Sequence, residues 1–140
     1  MVTEHRICSN QGNLGIKDLE TIISHNVHLI LIPKVENASQ LKTVDNTIQS
    51  LCKKYNRKDP VFLMPILESA TGILNAVEIA KASKNNVAIA IGLEDYTADI
   101  GVNRTNRGRE SLFARSQIVN AARSAGIQAI DTVFSDINDE

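Results

Sequence analysis

Two acidic residues each follow an apolar run that is typical of a buried strand. Glu68 comes directly after the run Pro65–Leu67, and Asp95 comes shortly after Ala90–Ile91. In a sheet of parallel strands both side chains would emerge at the carboxyl edge, where α/β folds place their chemistry. Carboxylate oxygens are the ligands that a hard divalent cation such as Mg²⁺ prefers. The pattern therefore predicts a shared metal site, with a helix N-cap or a solvated loop as the alternative role for each acid.

The separation of Glu68 and Asp95 along the chain corresponds to one strand–helix unit. Neighbouring parallel strands would therefore bring the two carboxylates to adjacent points on one edge of the sheet. Glu94 and Asp99 add negative charge nearby, but their positions are typical of loop or capping residues.

Lys34 also follows a strand-like run and allows two interpretations. A lysine at the carboxyl end of a strand can form a Schiff base with a ketone substrate. It can also simply pair with Glu36, two residues further on, or with the acids at the same edge. We favour the ion pair.

Arginines offer two candidate binding sites for anions. Arg6 lies on the first predicted strand, where its guanidinium fork suits a substrate carboxylate; the alternative is an edge-strand arginine in water. The loop Asn103–Arg109 carries three arginines and could grip phosphate or an anionic partner. For this loop a solvated surface segment is the favoured interpretation.

The composition limits the class of protein that carries these residues. The chain has 140 residues, of which 43% are apolar and 22% charged, and its net charge is −1. We expect a single domain, residues 1–140, that binds neither nucleic acid nor membrane. No apolar run reaches the ~18 residues of a transmembrane helix. Cys8 and Cys52 are far apart in sequence, which fits a reducing, cytoplasmic setting.

Strand and helix patterns alternate along the chain, which predicts the α/β class. The predicted strands are Glu4–Cys8, His28–Pro33, Val61–Ile66, Val87–Ile91 and Ala129–Phe134. The predicted helices are Ile16–His25, Ala38–Tyr55, Gly72–Ala82 and Arg109–Gly126. Two of the strands are nearly continuous apolar runs, as in parallel sheets that are covered on both faces. About five parallel strands and four helices make either an open sheet or part of a (β/α)₈ barrel, which usually needs ~250 residues.

Several of these segments together resemble a known family, the citrate lyase beta-subunit family of aldolase-like enzymes. The resemblance extends through nearly the whole chain, and its last block is long and specific. The segments that carry it are Ile32–Glu36, Leu67–Ser69 with Gly72, Gly92–Tyr96 with Asp99, Ala114–Arg115 and Ala121–Val133.

The resemblance implies a fold, a reaction and partners. It implies a TIM barrel that forms homo-oligomers and a Mg²⁺-dependent carbon–carbon lyase that acts on acyl thioesters. The family's citrate lyase beta subunits cleave citryl thioester, carried on acyl carrier protein, to oxaloacetate and acetyl thioester, together with other lyase subunits. A malyl-CoA-type lyase, a pyruvate aldolase and a non-catalytic interaction module remain alternatives.

The resemblance also implies roles for three residues. Glu68 and Asp95 match the family's metal-binding carboxylates, and Glu68 lies where substrate binds. Arg6 matches its substrate-binding arginine, with a catalytic role at the reacting carbonyl group. Cys8 stands where the family carries asparagine, and no residue is identified as the general base.

The resemblance covers the central portion of a TIM-barrel domain, since a full family subunit is about twice this length. We therefore expect a truncated fragment of a lyase subunit. A half-open barrel leaves its site in contact with water, so we expect the isolated chain to be catalytically incompetent.

Overall fold

The computed structural model describes residues 3–7 and 12–132. Its strands are β1 (Glu4–Arg6), β2 (Leu29–Ile32), β3 (Phe62–Leu67), β4 (Ala88–Ile91) and β5 (Gln128–Ile130). Its helices are α1 (Gly12–Ser24), α2 (Ala38–Lys54), α3 (Ala70–Leu74), α4 (Ala76–Ala80), α5 (Leu93–Asp99) and α6 (Leu112–Ala125). A 3₁₀ turn, Arg109–Ser111, leads into α6.

The five strands form one sheet in which they lie in sequence order. Every pairing is parallel: β1 pairs with β2, β2 with β3, β3 with β4, and β4 with β5. The predicted α/β class is therefore confirmed. Because all the strands run in one direction, the residues that follow β1, β2, β3 and β4 lie along the same edge of the sheet. Lys34, Glu68 and Asp95, which follow β2, β3 and β4, therefore lie at that edge.

The main core lies between the helices and one face of the sheet. Ile30, Ile32, Leu63 and Ile89 are fully buried there against the helical residues. On the other face a smaller apolar cluster contains only strand residues: Met64, Ile66, Ala88 and Ala90, with Leu29 and Leu31 beside them. The expectation that these strands are covered on both faces is confirmed for β4, whose four residues are all buried, whereas Leu29 and Leu31 of β2 are only half-buried on this second face. The apolar runs arise because strand residues on the second face pack against one another.

Helix α2 forms as its sequence predicts. Asn37 begins it with a capping box, in which the Asn37 side chain accepts from the Gln40 backbone and the Gln40 side chain accepts from the Asn37 backbone. This exchange satisfies backbone N–H groups that a helix start otherwise leaves without partners. The predicted apolar stripe is buried in the core: Leu41, Val44, Ile48, Leu51 and Cys52.

The helices of the structure differ from the predicted ones in two places. The single helix predicted over Gly72–Ala82 is two short helices, α3 and α4, which meet at Asn75. The Asn75 side chain donates to the Glu36 carbonyl at 2.8 Å, a contact that orients this residue toward the preceding loop. Helix α5 was not predicted, because its seven residues are too few to show a clear apolar period.

The other predicted helix and strand boundaries lie within a few residues of the observed ones, wherever both fall among the described residues. Gly126 caps α6 in the left-handed conformation, with φ of 72°, as its position predicted. The predicted ends of two strands, Cys8 and Phe134, lie outside the described residues. None of the described helices is both long enough and apolar enough to cross a membrane.

Candidate active site at the carboxyl edge of the sheet

Glu68 is a buried acid that directly follows β3. Only 7% of its surface is exposed. Its Oε2 atom accepts a hydrogen bond of 2.9 Å from the backbone N–H of Lys34. Its Oε1 atom accepts one of 3.3 Å from the Arg6 guanidinium. Both oxygens of this carboxylate therefore have partners from β1 and from the segment after β2.

The backbone contact depends on an uncommon conformation at Lys34. This residue has φ of 52°, in the left-handed region that side chains other than glycine and asparagine seldom adopt. The next residue, Val35, donates its N–H to the Ile66 carbonyl at 3.2 Å and is fully buried. The chain after β2 is thus fixed against β3, and the strained turn directs the Lys34 N–H at Glu68.

Gly92 leaves the space that the Glu68 side chain fills. A Cβ atom at Gly92 would lie 2.5 Å from Glu68 Cγ and 2.7 Å from its Oε1. The φ of Gly92 is −105°, which any residue can adopt, so glycine is needed here for space rather than for backbone freedom. The sequence patterns described above do not predict this role. An isolated glycine at the end of an apolar strand was the available signal, since it often marks a close approach.

Burial and neighbouring charge control the ionisation of Glu68. Burial raises the pKa of this carboxyl group because it penalises the charged form, and the negative charge of Asp95 raises it further. The Lys34 backbone N–H and the Arg6 guanidinium oppose the rise without cancelling it. The net result is a carboxylate that gains from additional positive charge.

Asp95 lies in the first turn of α5, at the same edge. Its Oδ2 atom is 3.1 Å from the Lys34 ammonium, and its side chain is 49% exposed. The four edge residues are therefore together in space: Arg6 and Lys34 each contact one or both of the acids. Glu68 and Asp95 supply oxygen donors of the kind Mg²⁺ prefers. Within residues 3–7 and 12–132, no cluster of three or more His, Cys, Asp or Glu side chains forms a larger metal site.

The ion-pair interpretation of Lys34 is confirmed, since its partner is one of the edge acids. Glu36 instead accepts from the Ser69 hydroxyl at 2.8 Å. Ser69 in turn accepts from the Gly72 N–H and caps α3. This chain of contacts ties the segment after β2 to the segment after β3, so it supports both sides of the site.

The other nearby acids have structural partners. Glu94 forms an ion pair with Arg104 of the arginine loop. Asp99 accepts from the Ala70 N–H at 2.8 Å, at the start of α3. The prediction of a capping residue fits Asp99, whereas Glu94 lies in the first turn of α5 and not in a loop. The loop arginine Arg104 is thus neutralised by an acid.

A polar cavity of about 420 Å³ lies beside this edge, between the start of α5, the arginine loop and the end of β5. Its lining includes two ion pairs, Glu94 with Arg104 and Arg115 with Asp131. None of the four edge residues is among those that line it. The cavity is therefore a neighbour of the candidate site and not the place where its carboxylates point.

Sequence comparison relates the chain to known proteins. A sequence model of the family described as HpcH/HpaI aldolase/citrate lyase matches residues 3–140. The citrate lyase subunit beta of Leuconostoc mesenteroides subsp. cremoris is 41% identical over 124 residues, which cover 88% of this chain and 41% of that protein. The citrate lyase subunit beta of Escherichia coli (strain K12) is 39% identical over 136 residues, covering 96% of this chain and 45% of that protein. The chain spans less than half the length of these relatives.

The fold is similar to that of a solved structure. The citrate lyase beta subunit from M. tuberculosis, complexed with oxaloacetate and magnesium, superimposes with a TM-score of 0.79 at 29% identity. The match covers 98% of this chain and 57% of that one. The α/β arrangement of this chain thus recurs within a longer protein.

Proposed function

Because the chain belongs to the HpcH/HpaI aldolase/citrate lyase family, we propose that it carries the metal-binding part of a Mg²⁺-dependent carbon–carbon lyase. The proposed reaction cleaves a citryl thioester, on acyl carrier protein or coenzyme A, to oxaloacetate and an acetyl thioester. The observation that carries the proposal is the meeting of Glu68 and Asp95 at one sheet edge, with Arg6 on Glu68. The resemblance of the sequence to the family supports the proposal, since it implies metal-binding roles for Glu68 and Asp95 and a substrate-binding role for Arg6.

The donor set fits the cation. Glu68 and Asp95 supply hard oxygen atoms. Burial is the main cause that raises the pKa of Glu68, so a bound cation would stabilise its charged form. When bound, Mg²⁺ would supply Lewis-acid stabilisation of negative charge on the substrate oxygen that becomes the ketone of oxaloacetate. The oxaloacetate and magnesium in the M. tuberculosis structure support this choice.

The chain's own residues would bind and orient the substrate. Arg6 is 55% exposed at its side chain, so its guanidinium can receive a substrate carboxylate while one nitrogen stays on Glu68. In the cleavage step, the hydroxyl proton leaves to a base, and the carbon–carbon bond breaks as the ketone of oxaloacetate forms. The bonding electrons pass into the thioester as an enolate, which a proton then converts to acetyl thioester. In the alternative role, Arg6 would hold the thioester oxygen and stabilise the enolate charge that develops there.

We also propose the setting in which this site works. Residues 1–140 correspond to the central portion of a (β/α)₈ barrel domain, and the remaining strands would complete the site. The partners are acyl carrier protein, other lyase subunits and further copies of the same subunit. The proposed location is the cytoplasm.

Calorimetric titration with MgCl₂ tests the metal site. The parent chain should bind Mg²⁺, while Glu68→Ala and Asp95→Ala should each lose the binding and keep the circular dichroism spectrum of a folded α/β protein. Glu78→Ala is the matched control, because Glu78 is an exposed acid on α4, away from the edge. Equal binding by all four proteins would contradict the proposal.

Activity is tested by oxaloacetate release. Citryl-CoA and malyl-CoA are offered to the chain with and without Mg²⁺, and 2-oxo acid is measured by its reduction with NADH and a suitable dehydrogenase. Release from citryl-CoA that requires Mg²⁺ supports the proposed reaction and would contradict the expectation that the isolated chain is inactive. Release from malyl-CoA alone would assign the malyl-type alternative, and Mg²⁺ binding without release from either is the result expected of a chain that carries only part of the barrel.

A further inference from the structure

Lys34 contacts both acids of the proposed metal site, and it does so with two different groups. Its backbone N–H lies 2.9 Å from Glu68 Oε2, and its ammonium lies 3.1 Å from Asp95 Oδ2. We propose that Lys34 positions Glu68 and also acts as the counter-ion of Asp95. Its backbone N–H stays hydrogen-bonded to Glu68, whereas its ammonium pairs with Asp95 only until Mg²⁺ displaces it. This inference rests on the proposed function, because it requires that Glu68 and Asp95 bind the cation.

The two contacts differ in how easily they break. The N–H belongs to a backbone segment that is fixed by the Val35 N–H on the Ile66 carbonyl and by the complete burial of Val35. The ammonium ends a long side chain that is 67% exposed, and its partner Asp95 is 49% exposed. Ion pairs between such exposed side chains are weak, because water and salt screen them. The ammonium can therefore leave Asp95 while the N–H stays on Glu68.

The ammonium also occupies a position that the metal would need. It binds an oxygen of Asp95, one of the two carboxylates that would hold the cation. A divalent ion on Asp95 would repel a lysine ammonium only a few ångströms away. Metal binding and the Lys34–Asp95 ion pair are therefore mutually opposed.

The backbone conformation gives a second reason to assign a role to this side chain. At φ of 52° glycine or asparagine would fit with less strain than lysine does. The N–H contact to Glu68 does not need any side chain at this position. The presence of lysine is explained by the ammonium, which neutralises Asp95 when no metal is bound.

The test compares Mg²⁺ affinity in substituted chains by calorimetry. Lys34→Met keeps the length and the left-handed strain of the residue but removes the charge, so Mg²⁺ should bind about tenfold more tightly. Lys34→Arg keeps the charge and should bind Mg²⁺ as the parent does. Lys53→Met is the matched control, because it removes the same charge from an exposed position in the last turn of α2. It should leave the affinity within about twofold of the parent value.

The outcomes separate this inference from the proposed function. Unchanged or weaker affinity in Lys34→Met, combined with loss of binding in Glu68→Ala and Asp95→Ala, would overturn the counter-ion role and leave the metal site standing. Binding that appears only in Lys34→Met supports the counter-ion role directly. No binding in any of these proteins would overturn both.

A second measurement needs no substitution. The ¹³Cε resonance of Lys34 in the parent chain should shift as Mg²⁺ saturates the site, because the ammonium leaves Asp95. The Lys53 resonance should stay in place and serves as the internal reference. A Lys34 resonance that does not move at Mg²⁺ saturation would contradict the displacement even if Lys34→Met fails to fold.

Discussion

Gly92 and Glu68 are in such close contact that no side chain fits between them: a Cβ atom at Gly92 would lie 2.5 Å from Glu68 Cγ. The two residues follow neighbouring strands, and the Gly92 N–H donates at 3.0 Å to the carbonyl of Leu67, the residue before Glu68. A residue without a side chain thus sets the position of the buried carboxylate.

Gly92→Ala should therefore displace the Glu68 carboxylate and weaken Mg²⁺ binding. Overpacking of this kind typically costs about 1–3 kcal/mol of unfolding free energy. We expect a cost in that range from urea unfolding, together with at least about tenfold weaker Mg²⁺ binding, since metal sites need their ligands placed closely.

The origin of that cost can be checked in a second background. In Glu68→Ala the Cγ and carboxylate atoms are gone, so adding Gly92→Ala should cost little further stability. If the cost of Gly92→Ala is the same in both backgrounds, the contact with Glu68 is not its cause.

Glu68→Gln should stabilise the metal-free chain at neutral pH. The folded-state pKa of Glu68 is raised by burial, so in the pH range between the ordinary and the raised pKa the folded chain holds a proton that the unfolded chain has lost. Stability from this group therefore falls as pH rises through that range. Glutamine carries no charge, so it removes the cost of burying the ionised carboxylate. The Glu68→Gln chain should therefore have a higher free energy of unfolding than the parent at pH values above this range, and the difference should disappear below it. Urea unfolding in EDTA between pH 4 and pH 8 measures this; an advantage that grows toward acid pH would contradict it.

The same raised pKa should make Mg²⁺ binding sensitive to mild acid. A proton competes with the cation for Glu68, and because the pKa of this carboxyl is raised, the competition begins at a higher pH than for an ordinary glutamate. The apparent Mg²⁺ affinity in calorimetric titrations should fall as the pH is lowered, and the fall should begin above the ordinary pKa of a glutamate. An affinity that stays constant down to that ordinary pKa would contradict this prediction.

Asn37→Ala should destabilise the chain by about 1 kcal/mol, the usual cost of losing an N-cap side chain. The Asn37 side chain accepts the Gln40 N–H at 3.0 Å, so alanine leaves that donor without its protein partner. Asn46→Ala is the control, because Asn46 is an exposed residue in the middle of the same helix. Urea unfolding should show the cost for Asn37→Ala alone; equal costs would rule out capping as the cause.

The sequence by itself determined the order and the class of the elements. The apolar stripe of α2 and the apolar runs of β2 and β4 are local patterns, and they predict helix and strand because burial of a continuous apolar face is the dominant local requirement. Placing Glu68 and Asp95 at one edge needed only the order of the strands and their common direction. These patterns do not predict helix α5, because seven residues are too few to show a period. They do not predict the break at Asn75 either, because it depends on a side-chain contact with a distant segment.

Only the tertiary structure decided how the site is held. The contact between Arg6 and Glu68 joins residues that are 62 positions apart, so it depends on the register of three strands. The left-handed turn at Lys34 and the space at Gly92 likewise depend on packing between segments that are distant in sequence. Local periodicity reports which face of an element is buried, but it carries no information about which distant backbone lies against a given side chain. That is why the sequence located the two carboxylates, while the residues that position them became visible only in the folded chain.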